Sequence, residues 1–120
     1  MAKILIVDDS RTSRRILRNI LENAGYEVVG EATNGQEGYE KYAELKPDIV
    51  TLDITMPVLD GIAALKKIKA DYPEAKIVMV TAAGQKTKMV EAVQNGADEF
   101  IAKPFEDEEL KKVIDQLLDK

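Results

Sequence analysis

Four short apolar runs, rich in β-branched residues, each lead into a residue that carries reactive chemistry. The runs are residues 4–7, 49–52, 77–80 and 100–102, and the residues that follow them are Asp8 with Asp9, Asp53, Thr81 and Lys103. Runs of this kind are typical of strands buried on both faces of a parallel sheet. Because right-handed β-α-β units point every strand the same way, these side chains are expected at one edge of the sheet. That edge is the candidate site.

Between these runs, apolar residues recur with the period of a helix. Helices are expected over about 10–24, from the Asn34-Gly35 turn to about 45, over 61–71 and 86–95, and from about 107 onward. A further strand is expected over about 26–32. Five rounds of strand then helix, without a linker or repeat, predict one doubly wound α/β domain over residues 1–120. Its parallel sheet would have five strands, with helices on both faces.

Alternation alone leaves the strand order open, and the carboxylates supply it. Ligands of open α/β sheets bind beyond the carboxyl ends of the strands, where the winding reverses. If Asp8, Asp9 and Asp53 share one site, the first and third strands must be neighbours. The predicted order is then 2-1-3-4-5, the established flavodoxin-like arrangement.

Composition excludes several kinds of chemistry. The 120 residues include neither cysteine nor histidine, which excludes disulfides, thiolate or histidine metal ligands and histidine acid–base catalysis. A net charge of -5 argues against non-specific nucleic-acid binding. The first apolar run is too short for a signal peptide or a membrane span. We therefore expect a cytoplasmic protein with no nucleic-acid or membrane partner.

Three carboxylates brought together repel one another and need compensation. Mg²⁺ suits such a cluster because it takes oxygen ligands, and Lys103 could add a second positive charge. In a neutralised pocket Asp53 can act as a nucleophile and form an aspartyl phosphate. Thr81 could donate its hydroxyl to a phosphoryl oxygen, and the small side chains of Ala82 and Ala83 would keep the approach open.

Each of these residues also has a purely structural interpretation. Asp8-Asp9-Ser10 could only cap a helix, Asp53 could start a turn, and Lys103 could be an ordinary ion-pair partner. Thr81 could serve packing alone. Pro104 could end a strand with the usual trans bond, or hold a cis bond that orients Lys103; the frequency of the two isomers favours trans. The coincidence of all four strand ends favours the functional interpretation.

In this order and spacing, the motifs resemble the receiver domains of bacterial two-component response regulators over essentially the whole chain. The matching segments are residues 4–10, 47–57, 59–61, 81–82, 96–97 and 103–105. The resemblance implies that Asp53 accepts phosphate from a phosphohistidine of a sensor kinase. It implies that Asp9, Asp53 and the backbone carbonyl of Thr55 bind Mg²⁺, with Asp8 helping through water. It assigns Thr81 and Lys103 to the phosphoryl oxygens.

The resemblance also implies a switch. Thr81 would move toward the phosphate while an aromatic residue on the fifth strand, here Phe100, rotates inward. The surface of the fourth helix, fifth strand and last helix would change with it. The alternative is that Phe100 is merely a core residue. Position 55 influences the phosphate lifetime in the family, and Thr55 does not predict its value.

The overall pattern is similar to that of stand-alone chemotaxis regulators. That similarity implies a flagellar motor switch protein as output partner, a sensor kinase or phosphotransfer protein as donor, and a phosphatase as a further possible partner. A phosphorelay intermediate and a receiver excised from a longer regulator stay open as alternatives. Arginines at positions 11, 14, 15 and 18 on the first helix would be either a solvated face or a docking surface for the donor.

Three other classes of protein fit these residues less well. A phosphatase acting on outside substrates commonly has a second acid two residues after its nucleophile, where this chain has Thr55. A flavin carrier needs a glycine- and hydroxyl-rich phosphate loop after the first strand, whereas Asp8 and Asp9 would repel the cofactor phosphate. An inert scaffold would not need all five key positions filled. The chain is expected to catalyse only its own phosphorylation and dephosphorylation.

Overall fold

The computed structural model describes residues 2–82 and 84–119. Strands and helices alternate five times along them. The elements are β1 (Lys3–Val7), α1 (Arg11–Asn23), β2 (Glu27–Ala32), α2 (Gly35–Leu45), β3 (Ile49–Asp53), α3 (Gly61–Asp71), β4 (Ile77–Thr81), α4 (Lys86–Gln94), β5 (Glu99–Ala102) and α5 (Asp107–Leu118). Within these ranges, no helix is long and apolar enough to cross a bilayer.

The five strands form one sheet in the order β2-β1-β3-β4-β5, and every neighbouring pair is parallel. The predicted fold and strand order are both confirmed. The winding reverses between β1 and β3, which are hydrogen-bonded neighbours. The carboxyl ends of these two strands therefore lie side by side. This was the condition for Asp8, Asp9 and Asp53 to share one site.

Alternate residues of the strands point to opposite faces of the sheet and belong to two separate hydrophobic cores. On one face of the sheet, Leu5 and Val7 pack with the buried side chains of α2 and α3. On the other face, Ile4 and Ile6 pack with α1 and α5. Because both faces are covered, β3 and β4 are buried along their whole length, which explains their unbroken apolar runs.

Helix ends lie within one residue of the predicted boundaries, and polar residues cap several of the helix starts. Ser10, Asn34 and Asp60 are N-cap residues whose side chains accept backbone N–H groups of the first turn. The Asn34-Gly35 pair is thus the start of α2 rather than a separate turn. The second strand and the fourth helix are each one residue shorter than predicted.

A tight backbone approach fixes the start of α3 beneath the candidate site. The amide of Gly61 donates to the carbonyl of Ile54 at 2.7 Å. A Cβ added at Gly61 would lie 1.9 Å from the carbonyl oxygen of Asp53, so no other residue fits there without a shift. The loop that follows β3 is therefore pinned to the strand that carries Asp53.

Candidate functional site

The three predicted carboxylates lie together at the carboxyl edge of the sheet. One carboxylate oxygen from each of Asp8, Asp9 and Asp53 lies within 4.8 Å of the others. Asp8 is 1% exposed and Asp53 is 9% exposed, whereas Asp9 is exposed to solvent. The cluster follows directly from the pairing of β1 with β3. The cluster is therefore open to solvent at Asp9 and largely shielded from water at Asp8 and Asp53.

Hydrogen bonds hold Asp8 in one orientation. Its Oδ1 accepts the amide of Ser10 at 2.8 Å, and its Oδ2 faces the ammonium of Lys103 at 3.1 Å. Its backbone carbonyl accepts a guanidinium N–H of Arg14 at 2.8 Å. Lys103 also donates to Oγ of Ser13 at 3.2 Å. The ammonium from the end of β5 is thus positioned beside the acidic cluster by groups on β1 and α1.

Asp53 lies in an environment that disfavours its negative charge. The pKa of its carboxyl is raised from the ordinary 3.8 to about 6. Burial is the main cause, the neighbouring carboxylates of Asp8 and Asp9 add to it, and Lys103 opposes the rise. The groups of the protein alone therefore do not fully balance the negative charge of this buried carboxylate.

The donor set matches the preference of Mg²⁺. Three carboxylates against one ammonium leave excess negative charge, and hard divalent cations favour oxygen ligands of this kind. Asp53, one predicted ligand of Mg²⁺, is the last residue of β3. Thr55 lies two residues further on, with an exposed side chain.

Thr81 and Phe100 lie on neighbouring strands beside this cluster. Asp53 pairs with Val80, so Thr81 at the end of β4 is one residue beyond Asp53, and it is 3% exposed. Phe100 pairs with Met79 and is 45% exposed. The interpretation of Phe100 as a buried core residue is therefore wrong. The switch role predicted for this pair stays a prediction.

Two other expectations concern the loops around the site. The peptide bond between Lys103 and Pro104 is cis, so the expected trans bond is wrong. Of the two alanines expected to keep the approach open, Ala82 is exposed, and Ala83 lies outside the described residues.

Three side-chain contacts of the site were not predicted from the sequence. Ser13 contacts Lys103, Arg14 holds the Asp8 carbonyl, and Gln85 bridges two loops. Ser13 and Arg14 lie one turn into α1, where the helix could have indicated a position above the acidic pair. No pattern in the sequence singles out Gln85.

The arginines of α1 divide into two pairs. Arg14 and Arg18 both bind Glu31 on β2, with nitrogen–oxygen distances of 3.1 and 2.7 Å. Arg11 and Arg15 are exposed. Of the four arginines predicted as a docking surface, these two are the exposed ones, and the docking role stays a prediction.

The chain matches the family model for the response regulator receiver domain over residues 4–115. It belongs to the response regulator receiver family. The match spans all three acidic residues, Thr81, Phe100 and Lys103. These residues thus lie in the part of the chain that carries the family resemblance.

Among characterised relatives, the chain is similar to chemotaxis proteins of the CheY type. It is 50% identical to the chemotaxis protein CheY of Thermotoga maritima, covering 96% of each chain. It is 47% identical to the chemotaxis protein CheY of Bacillus subtilis, covering 97% of each. A second Bacillus subtilis relative, the protein CcdB, is 42% identical over 98% of each chain.

Solved structures share the same fold. The response regulator domain of Thermotoga maritima CheB is 36% identical, with a TM-score of 0.92, and the match covers 100% of this chain and 98% of that one. CheY from the CheX–CheY–BeF3–Mg complex of Borrelia burgdorferi is 33% identical, with a TM-score of 0.94 and coverage of 99% and 90%. The chain is therefore a two-component signalling receiver related to chemotaxis regulators.

Proposed function

We propose that Asp53 is the phosphorylation site of this receiver and that residues 1–120 act as one receiver domain. The observation that carries the proposal is the environment of Asp53. Its carboxyl is buried, has a raised pKa, and lies in a carboxylate cluster beside Lys103 and Thr81. Phosphorylation would turn this carboxylate into an acyl phosphate, a mixed anhydride whose added negative charge needs cations such as Lys103 beside it.

The proposed metal ligands are Asp9, Asp53 and the backbone carbonyl of Thr55, with Asp8 acting through water. When bound, Mg²⁺ supplies charge neutralisation to both the carboxylate cluster and a phosphoryl oxygen. The separation of 4.8 Å or less between the carboxylate oxygens supports this ligand set. The salt bridge from Lys103 holds Asp8 at the back of the pocket.

In the proposed reaction, a carboxylate oxygen of Asp53 attacks the phosphorus of a phosphohistidine on a sensor kinase or phosphotransfer protein. The oxygen–phosphorus bond forms, the phosphorus–nitrogen bond breaks, and the imidazole leaves with the electron pair. Lys103 and the Thr81 hydroxyl would stabilise the charge on the phosphoryl oxygens. Hydrolysis of the acyl phosphate by water returns Asp53 to its free form, so the chain catalyses only its own modification.

The proposed output runs through Thr81 and Phe100. Movement of the Thr81 hydroxyl toward the phosphoryl group would let Phe100, now half-exposed, turn inward. Val90 and Val93 on α4 are also half-exposed on the proposed output surface. We propose that phosphorylation changes this surface for a flagellar motor switch protein, as the chemotaxis relatives suggest.

Other partners follow from the same comparison. The exposed Arg11 and Arg15 support docking of an acidic donor surface near the site. The complex formed by the Borrelia relative supports binding of a further regulatory protein, such as a phosphatase. We propose action in the cytoplasm without a nucleic-acid or membrane partner. A phosphorelay intermediate, or a receiver within a longer regulator, is the alternative.

The test is phosphorylation by a small donor. The protein is incubated with Mg²⁺ and acetyl phosphate, and its intact mass is recorded beside an Asp53→Asn variant. We expect a labile gain of one phosphate that is lost in the variant and in EDTA. No gain, under conditions where another receiver is modified, would contradict the proposal.

A further inference from the structure

Gln85 bridges the two loops that flank Asp53. Its Oε1 accepts the backbone N–H of Ala82 at 2.9 Å, and its Nε2 donates to Oγ1 of Thr55 at 2.6 Å. Ala82 follows Thr81 on the loop after β4, and Thr55 is two residues after Asp53 on the loop after β3. One side chain thus ties together the two segments that approach the proposed phosphorylation site.

The side chain of Gln85 makes this bridge instead of capping the helix that follows it. Gln85 is the N-cap residue of α4, yet its side chain makes no capping hydrogen bond. The first turn of α4 has no acidic residue and contains Lys86 and Lys88, whose charge opposes the helix dipole. Ala92 is the one buried residue of α4. The start of this helix therefore depends on the bridge more than on capping or core packing.

From this arrangement we propose that Gln85 is a positioning residue, a latch that holds the unphosphorylated site closed and links it to α4. The inference rests on the proposed function of Asp53. A phosphoryl group on Asp53 enters between the Thr55 and Ala82 loops and draws Thr81 toward it. Because Ala82 is joined to Thr81 through the chain, a movement of Thr81 shifts this loop relative to Thr55, and in the proposed switch the hydrogen bond from Gln85 to Thr55 opens. The latch opposes phosphorylation, and its opening frees the start of α4.

Both hydrogen bonds lie at the exposed rim of the site. Water competes for such bonds, so each has a modest net strength and can open reversibly. Hydrogen bonds of this strength can shift the equilibrium between the closed and open latch without holding it in one state.

The test uses two single variants and their combination. Gln85→Leu removes both bonds at similar side-chain size, and Thr55→Val removes the hydroxyl acceptor while keeping the backbone carbonyl proposed for Mg²⁺. Rates of phosphate gain from acetyl phosphate and of phosphate loss after dilution are measured by intact mass. We expect each variant to gain phosphate about two- to tenfold faster, the range that one neutral hydrogen bond supports. The double variant should be no faster than Gln85→Leu, because both substitutions break the same contact.

Two further measurements separate a latch from a general structural role. Gln94→Leu, at an exposed position of the same helix, is the matched control and should leave both rates unchanged. Amide hydrogen exchange in the first turn of α4 should be faster in Gln85→Leu without phosphate, and phosphorylation should speed it in the wild type.

The outcomes are distinguishable from failure of the proposed function. A wild-type chain that takes no phosphate overturns the function and the latch with it. A wild-type chain that is phosphorylated, with Gln85→Leu unchanged or slower, overturns the latch alone. Multiplicative effects of Gln85→Leu and Thr55→Val would also overturn it, because the two residues would then act independently.

Discussion

At the scale of single residues, the buried carboxylate proposed to react also lowers the stability of the fold. Asp53 is nine-tenths buried beside two other carboxylates, and its pKa is raised accordingly. Lys103 compensates only part of this cost because its ammonium is held against Asp8. The free protein therefore holds a carboxylate that is stabilised by cations or by a proton.

The first prediction concerns Asp53→Asn in EDTA. Since the folded pKa of about 6 lies above the ordinary 3.8, the folded state binds the Asp53 proton more tightly than the unfolded state. In the wild type this term favours folding at pH 4 and is lost as the pH rises through 6. At pH 7.5 the variant should be more stable by about 1–3 kcal/mol.

Urea unfolding followed by circular dichroism from pH 4 to 8 measures this effect. The stability gap between variant and wild type should widen as the pH rises. A gap that is constant or that narrows across this range would rule out a raised pKa at Asp53.

The second prediction concerns a buried hydroxyl with no partner. Thr51 lies in β3, is 0% exposed, and its Oγ1 makes no hydrogen bond within the described residues. Burying an unpaired hydroxyl costs about 1–3 kcal/mol. Thr51→Val keeps the branched shape and should raise the free energy of unfolding by about 1–2 kcal/mol. Chemical denaturation measures the change, and a loss of stability would show that the hydroxyl has a partner.

The third prediction concerns a strained residue in the loop before α3. Val58 has a φ of 67°, a left-handed conformation that β-branched residues rarely adopt, and its side chain is 82% exposed. Asn tolerates this conformation better. Val58→Asn should therefore stabilise the protein by about 0.5–1.5 kcal/mol. Val90→Asn, at a helical and half-exposed position, serves as the control and should not stabilise.

At the scale of elements, the loop after β3 is set by backbone contacts as much as by side chains. Gly61 donates to Ile54 and leaves no room for a Cβ beside the Asp53 carbonyl. Its packing joins the start of α3 to the residue that we propose is phosphorylated. A glycine at a helix boundary therefore shapes the site.

The fourth prediction follows from this contact. Gly61→Ala must push α3 away from β3, and we expect a loss of at least about 2 kcal/mol together with slower phosphorylation of Asp53. Gly25→Ala is a useful comparison because a Cβ at Gly25 meets nothing within 4 Å, although its φ of 93° carries its own strain. Gly25→Ala should destabilise the fold without slowing phosphorylation. Equal phosphorylation rates in the two variants, under folded conditions, would argue against the Gly61 contact.

At the scale of the whole molecule, the parallel sheet concentrates negative charge at one edge. The chain carries a net charge of -5, and three carboxylates share the carboxyl edge. A cation that binds the folded site and not the unfolded chain must stabilise the fold by mass action.

The fifth prediction is that Mg²⁺ raises the melting temperature of the wild type. At a hundred times the dissociation constant, the gain in free energy is about 2.7 kcal/mol. Asp53→Asn should gain less because it lacks one proposed ligand. Thermal unfolding with Mg²⁺ and with EDTA, at constant ionic strength, measures both. An equal gain in both proteins would contradict the assignment of Asp53 as a ligand.

The alternation of buried runs and helical stripes was enough to predict the fold. Strand order followed from one further condition, that Asp8, Asp9 and Asp53 meet, and β1 and β3 are indeed neighbours. The acidic cluster and the place of Lys103 beside it were predicted on the same basis. These inferences succeed because chain direction in a parallel sheet converts positions along the sequence into positions in space.

Other features depend on contacts between distant segments. The sequence by itself determined the elements, the two-sided core and the edge where the reactive groups gather, because these follow from local periodicity. Only the tertiary structure decided that Gln85 reaches Thr55, that Arg14 holds the Asp8 carbonyl, and that Phe100 faces solvent. Such contacts depend on loop geometry and side-chain rotamers, which leave no periodic trace in the sequence.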